Sequence, residues 1–247
     1  MMFISIVSHG HAELIINLKC LSRLSAEHEV ILTDNVGESI LEMYCRNNNI
    51  HYIKNNPKKG FGENNNQNFK YAINKLEMKP DDYFVVLNPD VLIEPESMAE
   101  VINIVRSNDV SISTINLVKP NNAYDCNIRK FPTFFNFIES YLFGKNSTII
   151  DKSKITSDQY VDWASGSFLA IKAITYEKVG GFDERYFMYC EDLDLCKRIS
   201  KITQEKVFYI NSIKAIHHAA HNNRRLFSKH FLWHLKSVLR YCLISKY

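Results

Sequence analysis

Apolar positions along this chain alternate between short continuous runs and stripes of helical period. Residues 2–7 (Met-Phe-Ile-Ser-Ile-Val) form a β-branched apolar run, after which Leu14, Ile15, Leu18, Leu21 and Leu24 recur at helical spacing. The run at 29–33 repeats the strand signal and stops at Asp34-Asn35, and Ile40, Leu41 and Tyr44 then predict a helix leading to a third strand at 50–53. A helix is expected to open at Gly60-Phe61-Gly62 and to continue through Tyr71, Ile73 and Leu76. Tyr83–Leu87 is the clearest buried strand, and it is followed by a helix over Pro95–Ser107 and a strand at 110–116. Such alternation implies parallel strands joined by crossover helices.

The second half is less regular. Phe134–Phe143 is strongly aromatic and is expected to pack as a short helix, whereas 147–159 predicts a polar loop. A strand at 169–171 precedes a helix over 191–200, and 206–210 with 213–216 suggest two strands joined by Asn211-Ser212. The tail at 225–242 can be drawn as an amphipathic helix, with Phe231, Leu235, Val238 and Cys242 on one side and Arg225, Lys229, Lys236 and Arg240 on another.

With 247 residues, 46% of them hydrophobic, the chain can bury a full core and reads as one domain over 1–223 with a helical appendage at 224–247. The net charge of +3 conceals an asymmetry. The appendage carries six Lys and Arg and no acid, which leaves 24 basic against 27 acidic residues in the rest. The appendage could rest on anionic lipid at the inner face of a cytoplasmic membrane or dock on the domain, and a basic tail alone does not predict nucleic-acid binding. Six scattered cysteines without a CxxC pair suit a reducing cytoplasm. Asn146-Ser147-Thr148 fits a glycosylation pattern, but with no signal-peptide pattern ahead of it the match is read as chance.

Several stretches carry candidate chemistry, each with a plainer structural alternative. Residues 180–199 set Asp183, Glu184, Glu191, Asp192 and Asp194 among aromatic and apolar neighbours, after a glycine pair suited to a sharp bend. Carboxylates near apolar walls can be tuned as bases, or can simply offset a helix dipole. Asp34, at a strand end, could accept from a ribose or base, or cap a turn. Gly60 and Gly62 could admit a ligand to the backbone, with the asparagines 64–66 and 68 as uncharged donors, or could merely open a polar helix. Asp90 could hold a cation between phosphates or end a strand, and Arg129 and Lys130 could meet phosphate or stay solvated. Trp163 with Gly166 suits one wall of a pocket, and His217, His218 and His221 could supply a metal ligand or be structural.

Taken in order, Ile-Val-Ser8-His-Gly-His, Thr-Asp34-Asn, Gly60-Phe-Gly62-Glu-Asn-Asn-Asn66, Leu-Asn88-Pro-Asp90, Trp163-Ala-Ser-Gly166-Ser-Phe and Gly-Phe-Asp-Glu-Arg-Tyr-Phe-Met-Tyr-Cys-Glu191-Asp192-Leu-Asp194 resemble family 2 glycosyltransferases. Within that family the chain is most similar to bacterial rhamnosyltransferases of O-antigen or other cell-surface polysaccharide assembly. The resemblance implies a GT-A fold, a Rossmann-like mixed sheet flanked by helices, and inverting transfer from dTDP-β-L-rhamnose to a hydroxyl of a lipid-linked saccharide. A UDP-hexose or UDP-galactofuranose donor is the alternative within the fold, and a non-catalytic saccharide- or nucleic-acid-binding module the alternative outside it. It further implies Asp192 as base, supported by Glu191 and Asp194, with Ser8, Asp34, Gly60, Gly62, Asn66, Asn88, Asp90 and Arg129 toward the donor. Trp163, Gly166 and Glu191 would face the acceptor, and Asp90 with His217 would hold Mg²⁺ or Mn²⁺. Asn88 replaces the first acid of the family's metal motif, which leaves Asp90 as its one charge.

Overall fold

The computed structural model describes residues 1–56, 58–219 and 229–244. Its elements run β1 Met2–Ser8, α1 Ala12–Leu18, α2 Cys20–Leu24, β2 Glu29–Asp34, α3 Ser39–Asn47, β3 His51–Lys54, α4 Phe61–Leu76, β4 Tyr83–Leu87, β5 Val91–Leu92 and α5 Pro95–Ser107. There follow β6 Ile112–Val118, β7 Ile128–Arg129, α6 Phe134–Phe143, β8 Gln159–Val161, β9 Trp163–Ala164, β10 Phe168–Lys172, α7 Ala173–Lys178, α8 Glu191–Thr203, β11 Val207–His217 and α9 Lys229–Ile244.

The main sheet has the order β3-β2-β1-β4-β10-β6-β11-β5, with β8 also on β11. Strands β3, β2, β1 and β4 are mutually parallel, while β10 runs antiparallel to both β4 and β6. This is the expected mixed sheet. The β1, β2 and β4 carboxyl ends lie together, so that Ser8 pairs with Asp34 and the Asn88-Pro89-Asp90 turn leaves beside them. Both faces are covered, which is why all five residues of β4 are buried. Ile4, Ile6, Val85 and Leu87 pack on one face with residues of α1, α2, α3 and α5. Phe3, Phe84 and Val86 pack on the other with Phe69 and Ala72 of α4 and with Leu195 and Ile199 of α8.

Four expectations change. The helix through Leu14 to Leu24 breaks at Lys19, whose φ of 52° is left-handed, so the stripe is shared by two short helices. The two strands expected around Asn211-Ser212 are one strand, β11, whose register against β6 shifts between Ile210 and Lys214. The shift absorbs extra residues as a bulge without ending the ladder. Helix α6 forms over Phe134–Phe143, opened by a capping box between Thr133 and Asn136, but it buries none of its residues fully and packs on the core only through the partly buried Phe137. The 147–159 loop is tied down by Lys152, which is buried and donates to Asn116 Oδ1 and the Leu117 carbonyl.

In α9 the apolar side drawn from sequence is divided. Val238 is buried with Tyr241 against the domain, whereas Leu235 is exposed together with Leu232, Leu239 and Leu243. The domain boundary at 223–224, Arg225 and His221 lie outside the described residues.

Candidate active site

Two bends aim the carboxylate segment. Gly180 and Gly181 have φ of +73° and +67°, and a Cβ on Gly181 would lie 2.4 Å from Asn66 Oδ1. Tyr189 and Cys190 then adopt left-handed φ of 72° and 63°, a costly pair for residues with side chains, and they release the chain directly into α8 at Glu191.

Asp192 lies in the first turn of α8. Its Oδ2 accepts the Gly166 N–H at 3.0 Å and its Oδ1 the Leu193 N–H at 2.8 Å. Burial raises its pKa, against those two donations and the charge of Arg129. Glu191 is buried, its Oε2 has no partner, and burial and the neighbouring Asp192 push its pKa well up. Burial raises both carboxyls, and a proton shared between them is better placed on Glu191, whose Oε2 has no donor, than on Asp192, which accepts two N–H groups.

Asp194 points elsewhere. Two helical positions from Asp192 is about 200° of rotation, and Asp194 Oδ2 accepts from Arg198 Nε at 2.7 Å while Arg198 donates to the Val179 carbonyl. It braces α8 against the end of α7, where the resemblance implied support to Asp192. Asp183 pairs with Arg185, and Glu184 accepts from Asn66.

The segment 163–168 joins Asp192 to the strand ends. Gly166 holds Asp192, and the next residue, Ser167, accepts the Asn88 N–H at 3.0 Å on its carbonyl, with the Asn88 side chain at 3.4 Å from its hydroxyl. A Cβ on Gly166 would meet Phe61 Cε1 at 3.0 Å. Trp163 is fixed by donation from Nε1 to the Lys130 carbonyl, with the Arg129 guanidinium 5.5 Å above its ring. The bridge from α8 to the strand end thus runs Asp192, Gly166, Ser167, Asn88, and Asp90 follows within the same turn.

Asp90 and His217 meet as expected. His217 Nε2 lies 3.3 Å from Asp90 Oδ1, and its Nδ1 lies 2.6 Å from Asp125 Oδ2. Burial would lower the histidine, but the Asp125 and Asp90 carboxylates outweigh it and lift the pKa to about 9. Burial likewise pushes Asp90 and Asp125 upward, and in both the imidazole prevails and holds the carboxyl below its usual range. Asp125 had no sequence signal. It sits in an irregular stretch, and its partner is 92 positions away.

Asp90 and His217 fit a divalent cation in part. Two atoms cis on one cation with bonds of about 2.1 Å stand about 3.0 Å apart, close to the separation of Asp90 Oδ1 and His217 Nε2. Asp90 Oδ1 is buried with no well-aligned donor beyond the His217 Nε2–H at 3.3 Å, a proton the imidazole would release on binding a cation, and Asp125 orients the imidazole from behind as metal-bound histidines require. Among the described residues no group of three or more His, Cys, Asp or Glu is arranged as a metal cage, so the remaining positions would fall to phosphate oxygens and water.

Other donor-side candidates serve the scaffold. Asp34 is fully buried and accepts from the N–H groups of Val36, Gly37 and Glu38 and from Tyr52 Oη, all at 2.7–2.9 Å. Burial raises its pKa, but these four donors outweigh it and hold the group below the usual carboxylate range. Asp34 therefore shapes the turn after β2. Ser8 Oγ accepts from the His11 N–H. Cβ atoms on Gly60 and Gly62 would lie 2.6 Å from the Phe187 carbonyl and 2.7 Å from Phe182 Cβ, so both glycines admit the 182–187 segment and not a ligand. Asn66 accepts from Tyr176 Oη and the Phe182 N–H and donates to the Phe182 carbonyl and Glu184. Asn65 and Asn68 bond to Ser5 and Thr33 beneath α4. The asparagine run expected to face a ligand is a buried polar seam between helix and sheet, and it positions the carboxylate segment from behind.

A groove lined by Met1, Tyr83, Arg106, Asp109 and Lys172 among others lies at the opposite end of the strands and contains none of these residues.

No family model matches the chain. Its relatives do decide the family. The chain is 40% identical over 247 residues to the rhamnosyltransferase WbbL of Escherichia coli K12, with 98% of this chain and 92% of the relative covered. The chain belongs to the family 2 rhamnosyltransferases. It is also 31% identical over 166 residues to an N-acetylglucosaminyl-diphospho-decaprenol L-rhamnosyltransferase of Mycobacterium tuberculosis, covering 64% of this chain and 54% of that one. A 30% match joins it to the hexosyltransferase Agl10 of Haloferax volcanii over 79% of this chain and 60% of that one.

Solved structures agree in fold. A mannosyltransferase from Pyrobaculum calidifontis in complex with GDP-Man and Mn²⁺ superposes with a TM-score of 0.59 at 13% identity, covering 90% of this chain and 58% of the other. GalNAc-T7 with UDP, GalNAc and Mn²⁺ superposes at 0.61 and 14% identity, over 97% and 47%. The chain spans about half of the length of these structures. The GT-A fold and glycosyltransferase membership are thereby established, and the non-catalytic binding module falls away.

Proposed function

We propose that this rhamnosyltransferase moves L-rhamnose from dTDP-β-L-rhamnose to a hydroxyl of a lipid-linked saccharide during O-antigen assembly, with inversion. The observation that carries this reading is the Asp192 carboxylate, held by the Gly166 N–H on the same short segment that holds Asn88. The base and the phosphate end of the donor are thereby fixed to one another.

Asp192 removes the proton from the acceptor hydroxyl as its oxygen attacks the anomeric carbon, and the bond from that carbon to the diphosphate breaks on the opposite face. Glu191, protonated, adds no second charge beside the base. Trp163 and Gly166 form the acceptor wall. Asn88 and Asp90 line the donor side directly, with Arg129 toward the phosphates, and Ser8 acts through the turn its hydroxyl holds. Asp34, Gly60, Gly62 and Asn66 act through the turns they hold. A Mg²⁺ or Mn²⁺ ion held by Asp90 and His217 would offset charge on the departing diphosphate when bound. The match to WbbL supports rhamnose as the sugar, and the mycobacterial relative, by its name, acts on a diphospho-decaprenol-linked sugar.

The reading is tested by incubating the purified chain with a nucleotide-sugar panel and a lipid-linked acceptor. Preferential use of dTDP-rhamnose is expected, and a preference for UDP-hexoses would overturn the donor assignment. The match to a hexosyltransferase favours a UDP-hexose donor as the second reading. Calorimetry of dTDP against UDP separates the two. The lipid-linked acceptor also places the enzyme at the cytoplasmic membrane surface, although no helix among the described residues is long and apolar enough to cross a membrane.

A further inference from the structure

Helix α6 is hydrophobic and faces solvent. Phe135, Leu142 and Phe143 are 78%, 71% and 72% exposed, and Ile138 lies among them on the same side. A helix that leaves its apolar stripe uncovered marks a contact surface.

A second uncovered stripe lies beside it. On α9, Leu232, Leu235, Leu239 and Leu243 follow steps of three and four and are all exposed. The two helices touch through their other sides, with Phe137 on Tyr241 and Tyr141 on Phe231, ring centroids 6.1 and 5.8 Å apart. Tyr141 Oη also bonds His234 Nδ1. The pair is bound to the active-site loop. Ser237 Oγ donates to the Met188 carbonyl, Trp233 stacks on Phe187 at 4.8 Å, and Arg240 lies 5.9 Å from the Tyr186 ring. That loop runs straight into Glu191 and Asp192.

We propose that α6 and α9 together form a bilayer-docking face, in which the aromatic end of α6 and the leucine stripe of α9 enter the headgroup region of an anionic membrane. This rests on the lipid-linked acceptor proposed above and extends it, because the inserting element is α6, which the sequence places inside the domain, as much as the basic tail. Charge chooses the occupant. Lys145, just past α6, and Lys236 on α9 are exposed, and α9 carries no acid. The single carboxylate on either helix, Glu139, is half-buried and accepts from Ser147 Oγ at 2.6 Å. Apolar residues edged by cations match anionic lipid. A second copy docked about a two-fold axis would instead bring like charges together with no exposed acid to meet them.

The experiment uses the full chain, with flotation on vesicles of phosphatidylglycerol and phosphatidylethanolamine or of phosphatidylcholine alone. The wild type is expected to float with the anionic vesicles and to do so less as salt rises. F135S/L142S/F143S is expected to lose at least about tenfold in partitioning, since each removes an inserted apolar group. These side chains touch no core, so the melting temperature should hold. The variant should keep transfer to a water-soluble acceptor analogue and lose transfer to an acceptor embedded in vesicles. Equal flotation of variant and wild type would overturn the proposal, as would a wild-type dimer in sedimentation that the serines dissociate. If no donor supports transfer yet flotation depends on the three residues, the functional reading fails and the docking face stands.

Discussion

The imidazole of His217 is held from behind by Asp125, Nδ1 to Oδ2 at 2.6 Å, while its Nε2 faces Asp90 Oδ1 at 3.3 Å. A carboxylate behind a histidine fixes which ring nitrogen points forward and strengthens it as a ligand.

Asp125→Asn should therefore weaken Mn²⁺ binding in the presence of dTDP by about 10- to 100-fold without unfolding the protein. Calorimetric titration of Mn²⁺ into the nucleotide complex measures it. Unchanged affinity would show that the pair serves only the fold.

The proton on Glu191 predicts a division between two neighbours. Asp192→Asn should lower kcat by roughly 10²- to 10⁴-fold, the usual worth of a general base, while Glu191→Gln should retain most activity. Steady-state kinetics of the two variants decide the assignment, and equal losses would refute it.

The same proton has a signature in stability. Burial raises the Glu191 pKa above its unfolded value, so the folded state binds the extra proton and wild-type stability falls as pH rises from about 4.3 toward the shifted value. Glu191→Gln removes this dependence. Denaturant unfolding from pH 4 to 9 should show the variant gaining on the wild type as pH rises.

Asp34 gives the opposite sign. Its carboxyl is depressed in the folded state, so its contribution is present above the unfolded value near 3.9 and is lost as pH falls through the lower folded one. Asp34→Asn should cost about 1–3 kcal/mol at pH 7, from donors left poorly paired, and the deficit should close in acid. Urea unfolding at pH 7 and pH 3 tests it.

Asn66→Ala should destabilise the chain by about 2–3 kcal/mol, because the Tyr176 hydroxyl and both Phe182 backbone groups lose their partner inside the protein. Nucleotide affinity should be spared in the folded variant, since the amide faces the 176–184 segment. A melting curve and dTDP calorimetry together distinguish this from a donor contact.

Much of the fold was legible where the signal was local. Tyr83–Leu87 and Pro95–Ser107 appear with the bounds expected, because a buried run and an amphipathic stripe opened by a proline are set by neighbours in sequence. The meeting of Asp90 with His217 followed from the order of motifs. What escaped depends on distant partners. Asp125 has meaning only through His217, and the choice between ligand donors and a polar helix entry for the asparagines of α4 stayed open because sequence cannot show that Ser5 and Thr33 lie beneath them. The exposure of the α6 aromatics was not legible, since hydrophobicity alone cannot tell a core face from an uncovered one.

The short strap from Trp163 to Phe168 has a consequence for how such enzymes diverge. Ser167 touches the donor-side turn and Gly166 touches the base, so no change of shape at one end leaves the other in place. A substitution at Ser167 that shifts the Asn88 turn also moves the N–H that steadies Asp192, so the two ends of the strap cannot be altered independently.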